Sequence, residues 1–561
     1  MIALGAAISH WNTQMIGGSW DSGLTIWNFW WVDKSIQAGN FLPYYTKMLY
    51  FPQGVSLAYH NLALFNAYQG TLFHHLLNLS LPSAYNTVAV IAFLISALGM
   101  YALVKHLTRS PLAAFIAGII FAFAPVHVSR LHFGHLEIFT GAQFIPLVAL
   151  SIIRLTETHQ WRYLIIGSFL IALIGWQSLD IARGTFLFAS ILLLLFGYQQ
   201  NSKRWVMIQW LGMFFIVCIV MLPVAYPLVR DFAAFKDQVD QTAASIANSP
   251  DLINFFLPDR SISAFWRIVL GRFSSQPLTD FYQINGQRTV YLGLSVILLS
   301  IYSAIIVPFR QFKFWWVIAG IFFSLSLGPV LQVNGIRILS YMPYALLSNL
   351  PIIGLGREPA RFGIFLMLVL GVLVGYGVTR VSQNSLRNML LCAFIIPVIY
   401  IEFVATPVKM DDRLDNIPSY YREISQMSGT LSGGILDVPY DLYGSFGPAC
   451  NYMVYQTVHQ RPIVSGYISR APKAAVKMLD GYPFVHQLRA RIYGDSEPVH
   501  FSDKLIGKGI DELHKLNIDF VILHKSELSN SDMLAMRDAI TKVVFLPIYE
   551  DNLIIVWRVP K

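Results

Sequence analysis

Ten stretches of this sequence are apolar and long enough to cross a bilayer, and the short loops joining alternate pairs of them are almost purely basic. A spanning helix needs about 20 mostly apolar residues. Such runs begin near Asn86, Pro111, Ile138, Arg162, Arg183, Trp205, Tyr291, Phe314, Phe362 and Met389. Five of the intervening loops carry Lys105 and Arg109, Arg154 and Arg162, Lys203 and Arg204, Arg310 and Lys313, and Arg380 and Arg387, against the single acid Glu157. The positive-inside bias puts these loops in the cytoplasm. The long loops, and everything after about residue 407, then face outward. The expected fold class is an α-helical polytopic membrane protein with a small C-terminal α/β extracytoplasmic domain, divided as residues 1–406 and 407–561.

Composition agrees. Charged residues make up 13% of the chain, about half the share of a soluble domain. The formal net charge of +9 does not call for nucleic acid, because much of it sits beside membrane helices, where topology and anionic headgroups account for it. Cys218, Cys392 and Cys450 cannot form a disulfide framework, and no zinc spacing is present. The apolar stretch Met1 to Ser9 would reach only about 14 Å as a helix. It reads as the tail of a first helix whose beginning is absent.

The first outer loop, about residues 10–85, is aromatic. Ser22 to Ala38 reads as an amphipathic helix with Leu24, Trp27, Trp31 and Ile36 toward one side, and Asn61 to Leu77 as a second. Their Trp-rich faces are expected to lie in the interface plane, and the aromatic residues to form mostly an interfacial belt. A short helix is expected over 264–270 in the next long loop. In the C-terminal part, Gly434 to Pro439, Pro462 to Ser469, Asp519 to His524 and Val543 to Val559 read as strands, the last a hairpin turning at Glu550-Asp551-Asn552. Asp511 to Leu516 and Ser531 to Lys542 read as helices.

The cytoplasmic face offers only short loops and no phosphate-binding GxxxxGK[ST] sequence, so an ATP-driven pump within this chain is disfavoured. An enzyme site would lie among the outer loops and outer helix ends. Nucleotide-activated donors are made on the other side, so an outward-facing transferase needs a donor already carried across.

Several stretches carry a resemblance at this point: Trp20-Asp21, the run Ile26-Trp27-Asn28-Phe29-Trp30-Trp31, Phe51-Pro52-Gln53-Gly54-Val55, Gly134-His135-Leu136, Val290-Tyr291-Leu292-Gly293 and Arg357-Glu358-Pro359-Ala360-Arg361-Phe362. Together with the long first outer loop they resemble uncharacterised bacterial members of the GT-C superfamily, integral-membrane glycosyltransferases that use polyprenyl-phosphate-linked sugars. The resemblance implies a lipid-linked sugar donor and membrane lipids as partners, in the plasma membrane, and an inverting transfer.

The resemblance makes Asp21 the general base on the acceptor hydroxyl; an N-cap for the following helix is the alternative. In the turn from His127 to Glu137, three histidines, Arg130 and Glu137 fall within eleven positions. His135 and Glu137 are candidates for the catalytic set, Arg130 can bind phosphate, and a divalent metal ion could bridge a donor phosphate there. Interfacial polar residues are the other reading. Asp180 and Arg183 read as an i, i+3 ion pair. Arg357 and Arg361 suit a lipid phosphate that gains charge as it leaves, against snorkelling to headgroups. The competing functions are a transporter or flippase of a lipid-linked or polar substrate, and a non-catalytic membrane assembly subunit with a transferase-like body. Against the transporter, ionisable residues gather at outer helix ends and not at mid-span.

Overall fold

A long apolar run becomes a helix of definite length only where something satisfies its terminal amides. In the computed structural model of the chain, Ser80, Ser110 and Ser202 do so by accepting hydrogen bonds from the backbone N–H of Ser83, Ala113 and Trp205. The structure describes residues 8–18, 20–200, 202–235, 242–257, 268, 289–348, 356–382, 386–403, 410–427, 432–442, 447–489 and 500–561. Among these, six helices are long and apolar enough to cross a membrane: Leu81–Thr108, Pro111–His132, Leu136–Thr158, Leu179–Gln199, Lys203–Arg230 and Pro359–Ser382. Shorter apolar helices cover Trp161–Gln177, Leu294–Ile306, Phe312–Ser326 and Asn388–Phe403. Every expected run is thus helical. The expected starts drift by a few residues because average hydropathy does not register caps such as Ser80. The stretch 1–7 and the helix expected over 264–270 (Ile268 apart) lie outside the described residues.

Pro359–Ser382 runs through the middle of the bundle and is buried from Gly363 to Gly375, whereas Lys203–Arg230 exposes Phe215, Leu222, Tyr226 and Val229. The bundle has two chemically different ends. His106 and Glu157, 2.9 Å apart, join two helices at the end that carries the basic loops. Leu136–Thr158 is about 34 Å long at 1.5 Å per residue, and its start lies at the opposite end, where the starts of Leu179–Gln199 and Pro359–Ser382 also converge.

The C-terminal part forms a four-stranded sheet. Gly434–Val438 pairs in parallel with Ile518–His524, which pairs antiparallel with Ile554–Arg558, and Tyr549–Glu550 lies at the far edge. Three of the expected strands are therefore present, although the hairpin begins only at Tyr549 because Val543 and Val544 close the preceding helix; the expected helices correspond to Asp503–Lys515, with Leu516 as its C-cap, and Asn530–Val544. The stretch 462–469 is different: only Ile463 bridges the sheet, at Ile435. The Pro462 carbonyl accepts from Ile435 N–H at 2.9 Å and Val464 N–H donates to the Ile435 carbonyl at 3.1 Å, but Pro462 lacks a donor to extend the pairing, and Ile463 itself bonds to the first loop. Phe51 N–H donates to the Ile463 carbonyl at 3.1 Å, and Ile463 N–H to the Met48 carbonyl at 2.9 Å.

That contact is part of a larger one. The helix Trp20–Gln37, the loop after it and the C-terminal sheet share a single hydrophobic core that includes Trp27, Tyr50, Val521 and Trp557. The Trp27 indole N–H donates to Gln456 Oε1 at 2.6 Å, and the Gln456 amide donates to the Met48 carbonyl at 2.7 Å. The expected interfacial belt is corrected here. Trp27 and Trp30 are buried inside protein, since the helix is covered on nearly every side, with Ser22 to Trp30 buried without a break. The second loop helix is Leu64–Leu76.

Two backbones nearly touch where the first loop meets the turn at Gly134. Gly17 has φ +117, and a Cβ there would lie 2.9 Å from the Leu131 carbonyl and 3.1 Å from Gly134 Cα. Gly18 N–H also donates to the His132 carbonyl at 3.1 Å. Gly17→Ala is expected to cost about 1–3 kcal/mol, since both the dihedral and the space exclude a side chain. A thermal-unfolding midpoint in detergent equal to that of the wild type would contradict this.

Candidate active site

The Gly17 contact places the first turn of Trp20–Gln37 against the loop before Leu136. Asp21 Oδ2 and His135 Nε2 are 3.0 Å apart there. Asp21 lies within the first turn, after Trp20, and not at the N-cap position, and this oxygen is held by the imidazole. The Asp21 side chain keeps 22% of its surface exposed, so the carboxylate is held and still reachable.

Each partner fixes the charge of the other. Burial favours the neutral Asp21 acid, but His135, Arg357 and Arg361 outweigh it and hold its pKa below the ordinary 3.8. Burial likewise disfavours the His135 imidazolium, but Asp21, then Glu137 and Glu358, raise its pKa above 6.5. The stabilisation from His135 is therefore full below pH 6.5 and is lost as pH rises through its elevated folded value. That from Asp21 is present above pH 3.8 and is lost as pH falls through its depressed folded value.

The cations stand on the neighbouring helix ends, Arg361 at the start of Pro359–Ser382 and Arg130 in the last turn of Pro111–His132. Glu358 sits at their centre: it accepts from Arg361 Nη2 at 2.7 Å and Arg361 Nε at 2.9 Å, and lies 3.6 Å from Arg130 Nη1 and 3.9 Å from Arg357 Nε. Burial pushes Glu358 toward the neutral form, and Arg361, Arg130, His135 and Arg357 reverse it. Arg361 also pairs with Asp180, which pairs with Arg183. The i, i+3 pair expected from sequence is present, as one edge of this wider lattice. Arg130 corrects its expected role. Its side chain is fully buried behind Glu358, so it balances that carboxylate and has no surface to offer a phosphate. Arg361 has its guanidinium fork engaged by two carboxylates. Arg357 differs, with 42% of its side chain exposed.

Thus Asp21, His135, Arg357, Arg361 and Glu137 are brought within one electrostatic neighbourhood, Glu137 lying in the fields of His135, Asp21 and Arg361. The other two histidines of the turn are elsewhere. His127 is buried edge-on against Phe121 and Phe139, and His132 stacks edge-on with Phe133. In that turn no three metal-ligating side chains converge among the described residues.

Sequence reading missed the contribution of the C-terminal part. Gly466 to Arg470 is threaded into the site: Tyr50 Oη donates to the Gly466 carbonyl at 2.9 Å, and the Ser469 amide donates to His60 Nδ1 at 3.3 Å. His60 Nε2 must then carry the proton and donate to Asn28 Oδ1 at 2.9 Å. Burial pushes the His60 pKa down to about 3, so this brace is neutral. Arg470 enters the field of Asp180, Arg357 and Arg183, and its pKa is lowered by burial first. No local motif marks Arg470; only the long-range packing brings it here.

No protein-family model and no curated protein sequence matches the chain. Solved structures do. A cryo-EM structure of the arabinofuranosyltransferase AftD from Mycobacteria superposes with a TM-score of 0.50 at 14% identity, over 100% of this chain and 41% of that one. The oligosaccharyltransferase of Archaeoglobus fulgidus gives 0.49 at 13% identity, over 93% of this chain and 68% of that one. ArnT from Cupriavidus metallidurans gives 0.36 at 10% identity, over 99% and 97%. The first likeness shows that the chain has the GT-C membrane fold that its sequence resembles. The chain spans about two fifths of AftD's length.

Proposed function

We propose that the chain is a membrane glycosyltransferase that moves a sugar from a polyprenyl-phosphate-linked donor to an acceptor hydroxyl, with inversion, at the membrane face opposite its basic loops. The observation that carries this reading is the pairing of a reachable Asp21 carboxylate with His135, beside the half-open Arg357. The GT-C fold supports it. So does the basic character of the opposite end, which by the positive-inside bias is cytoplasmic in a plasma membrane.

In this reading the acceptor hydroxyl approaches Asp21, which takes its proton as the new C–O bond forms. The acceptor oxygen attacks the anomeric carbon from the side away from the phosphate. The bond from that carbon to the phosphate oxygen breaks, and its electron pair stays on the phosphate. Arg357 meets the charge gained there, and Arg361, held by Glu358 and Asp180, adds a fixed positive field. His135 keeps Asp21 ionised and oriented. Glu137 tunes His135 through its charge. Nothing in these steps requires a metal ion.

The test is transfer from a panel of polyprenyl-phosphate sugars by the protein in vesicles, with the anomeric configuration of the product determined. Inverted product from at least one donor is expected. Arg357→Ala is expected to raise the donor KM and to lower kcat, because the same guanidinium meets phosphate before and during transfer. Absence of transfer across the panel would overturn the reading in favour of a transporter or a non-catalytic subunit.

A pH profile adds a second check. Asp21 stays ionised down to below pH 3.8 and His135 stays protonated to above pH 6.5. Transfer is expected to be flat across the interval between them and to fall on the alkaline side as His135 loses its proton. A rate that rises steadily from pH 6 to pH 9 would contradict the assigned charge states.

A further inference from the structure

Away from the candidate active site, a second group of side chains has the donor set of a metal centre. Asp33, His74 and His75 place one carboxylate oxygen and two imidazole nitrogens within 4.8 Å of one another. We infer that these three residues form a divalent-cation site of the zinc class, joining the helix Trp20–Gln37 to the last turn of Leu64–Leu76.

Three features argue for a ligand set. The His74 Nδ1 lies 2.6 Å from the Leu79 carbonyl. A carbonyl only accepts, so Nδ1 carries the hydrogen and Nε2 presents its lone pair. Metal-ligating histidines are oriented in this way. The Asp33 carboxylate is held on its other side, Oδ2 accepting from the Gln37 amide at 2.9 Å. The third feature is the spacing. Zn–N and Zn–O bonds of about 2.0–2.2 Å put tetrahedral ligand atoms about 3.3 Å apart. His75 Nε2 and Asp33 Oδ1 are 2.6 Å apart, and no donor separation exceeds 4.8 Å. Side-chain shifts of about 1.5 Å or less therefore close the site.

Its position fixes its role. Asp33 lies twelve residues after Asp21 on one helix, about 18 Å along the axis. An ion here does not reach the base. Three protein ligands leave one coordination position for water, and His75, half exposed, leaves the site open to exchange. The ion ties down the far end of the helix whose first turn carries Asp21. Imidazole and carboxylate donors also accept Ni²⁺ and Cu²⁺ in the Irving–Williams order, so zinc is the probe and not the only ion that fits.

The experiment uses the full chain in detergent, stripped with a chelator and titrated with Zn²⁺. One equivalent is expected to bind and to raise the unfolding midpoint. His74→Ala, which leaves the Asp33–His75 pair in place, and Asp33→Asn, which keeps a side-chain acceptor for Gln37, should each weaken binding by at least about tenfold and abolish the metal-dependent rise. Co²⁺ added at one equivalent to the wild type should give the absorption bands of a tetrahedral site. That measurement needs no variant to fold. Binding by His74→Ala as tight as by the wild type would overturn the assignment. So would a wild type with neither stoichiometric Zn²⁺ binding nor Co²⁺ bands, and Asp33 with His75 would then be a surface ion pair only.

Discussion

Asp21→Asn is expected to cut transfer by about 10²–10⁴-fold, the usual loss when a general base is removed. The substitution keeps the size of the side chain and one oxygen for His135, but the amide cannot take the acceptor's proton. Stability should move little by comparison, because the side chain is partly exposed and its partner stays in place. The decisive measurement is the rate at matched amounts of folded protein, with donor KM recorded beside kcat. A loss confined to kcat fits a base that acts only in the transition state. Undiminished transfer by the variant would remove Asp21 from the mechanism.

Glu358→Ala is expected to be the most damaging change to stability near the site, by about 3–5 kcal/mol. The side chains of Arg130 and Glu358 are 0% and 2% exposed. Removing the carboxylate takes the nearest opposite charge from the buried Arg130 and one of the two carboxylates from Arg361. Replacing both Glu358 and Arg130 by apolar residues of similar volume should recover much of the loss, because one charge of each sign is then removed together. Thermal unfolding of the two single variants and the double variant, in one detergent, measures this. A Glu358→Ala protein that melts with the wild type would show that water or another anion takes the place of the carboxylate.

What was legible in the sequence is what depends on near neighbours. The apolar runs and their basic loops are local, and each expected run is helical. His135, Arg357 and Arg361 could be named because ionisable groups at the ends of apolar helices are conspicuous, and Asp21 because the Trp20-Asp21 stretch carries the family resemblance. Their roles could not be separated in the same way. Arg130 and Arg357 look alike in sequence, and only packing shows one sealed behind Glu358 and the other half open. Arg470 sits in an ordinary polar stretch, and its approach to Asp180 depends on the pairing of Ile463 with Met48, more than 400 positions apart. The Trp-rich loop helix misled because a face apolar enough for lipid is equally suited to a protein core, and periodicity cannot tell which partner covers it. The trio of Asp33, His74 and His75 was missed because no spacing rule links residues on two separate helices.

The core shared by the first loop and the C-terminal sheet sets an order on biosynthesis. Trp27 and Trp557 belong to one core, but Trp557 is made some 530 residues after Trp27. At about 5–20 residues per second the interval is roughly half a minute to two minutes. The membrane helices can insert one after another during that time, while the segment bearing Asp21 waits for its partner strands. A nascent chain halted before Gln456 would hold the membrane helices with Asp21 beside His135, but with Trp27 uncovered and Arg470 not yet made. The site is thus completed only when the segment bearing Arg470, and the sheet that packs with the first loop, have been translated.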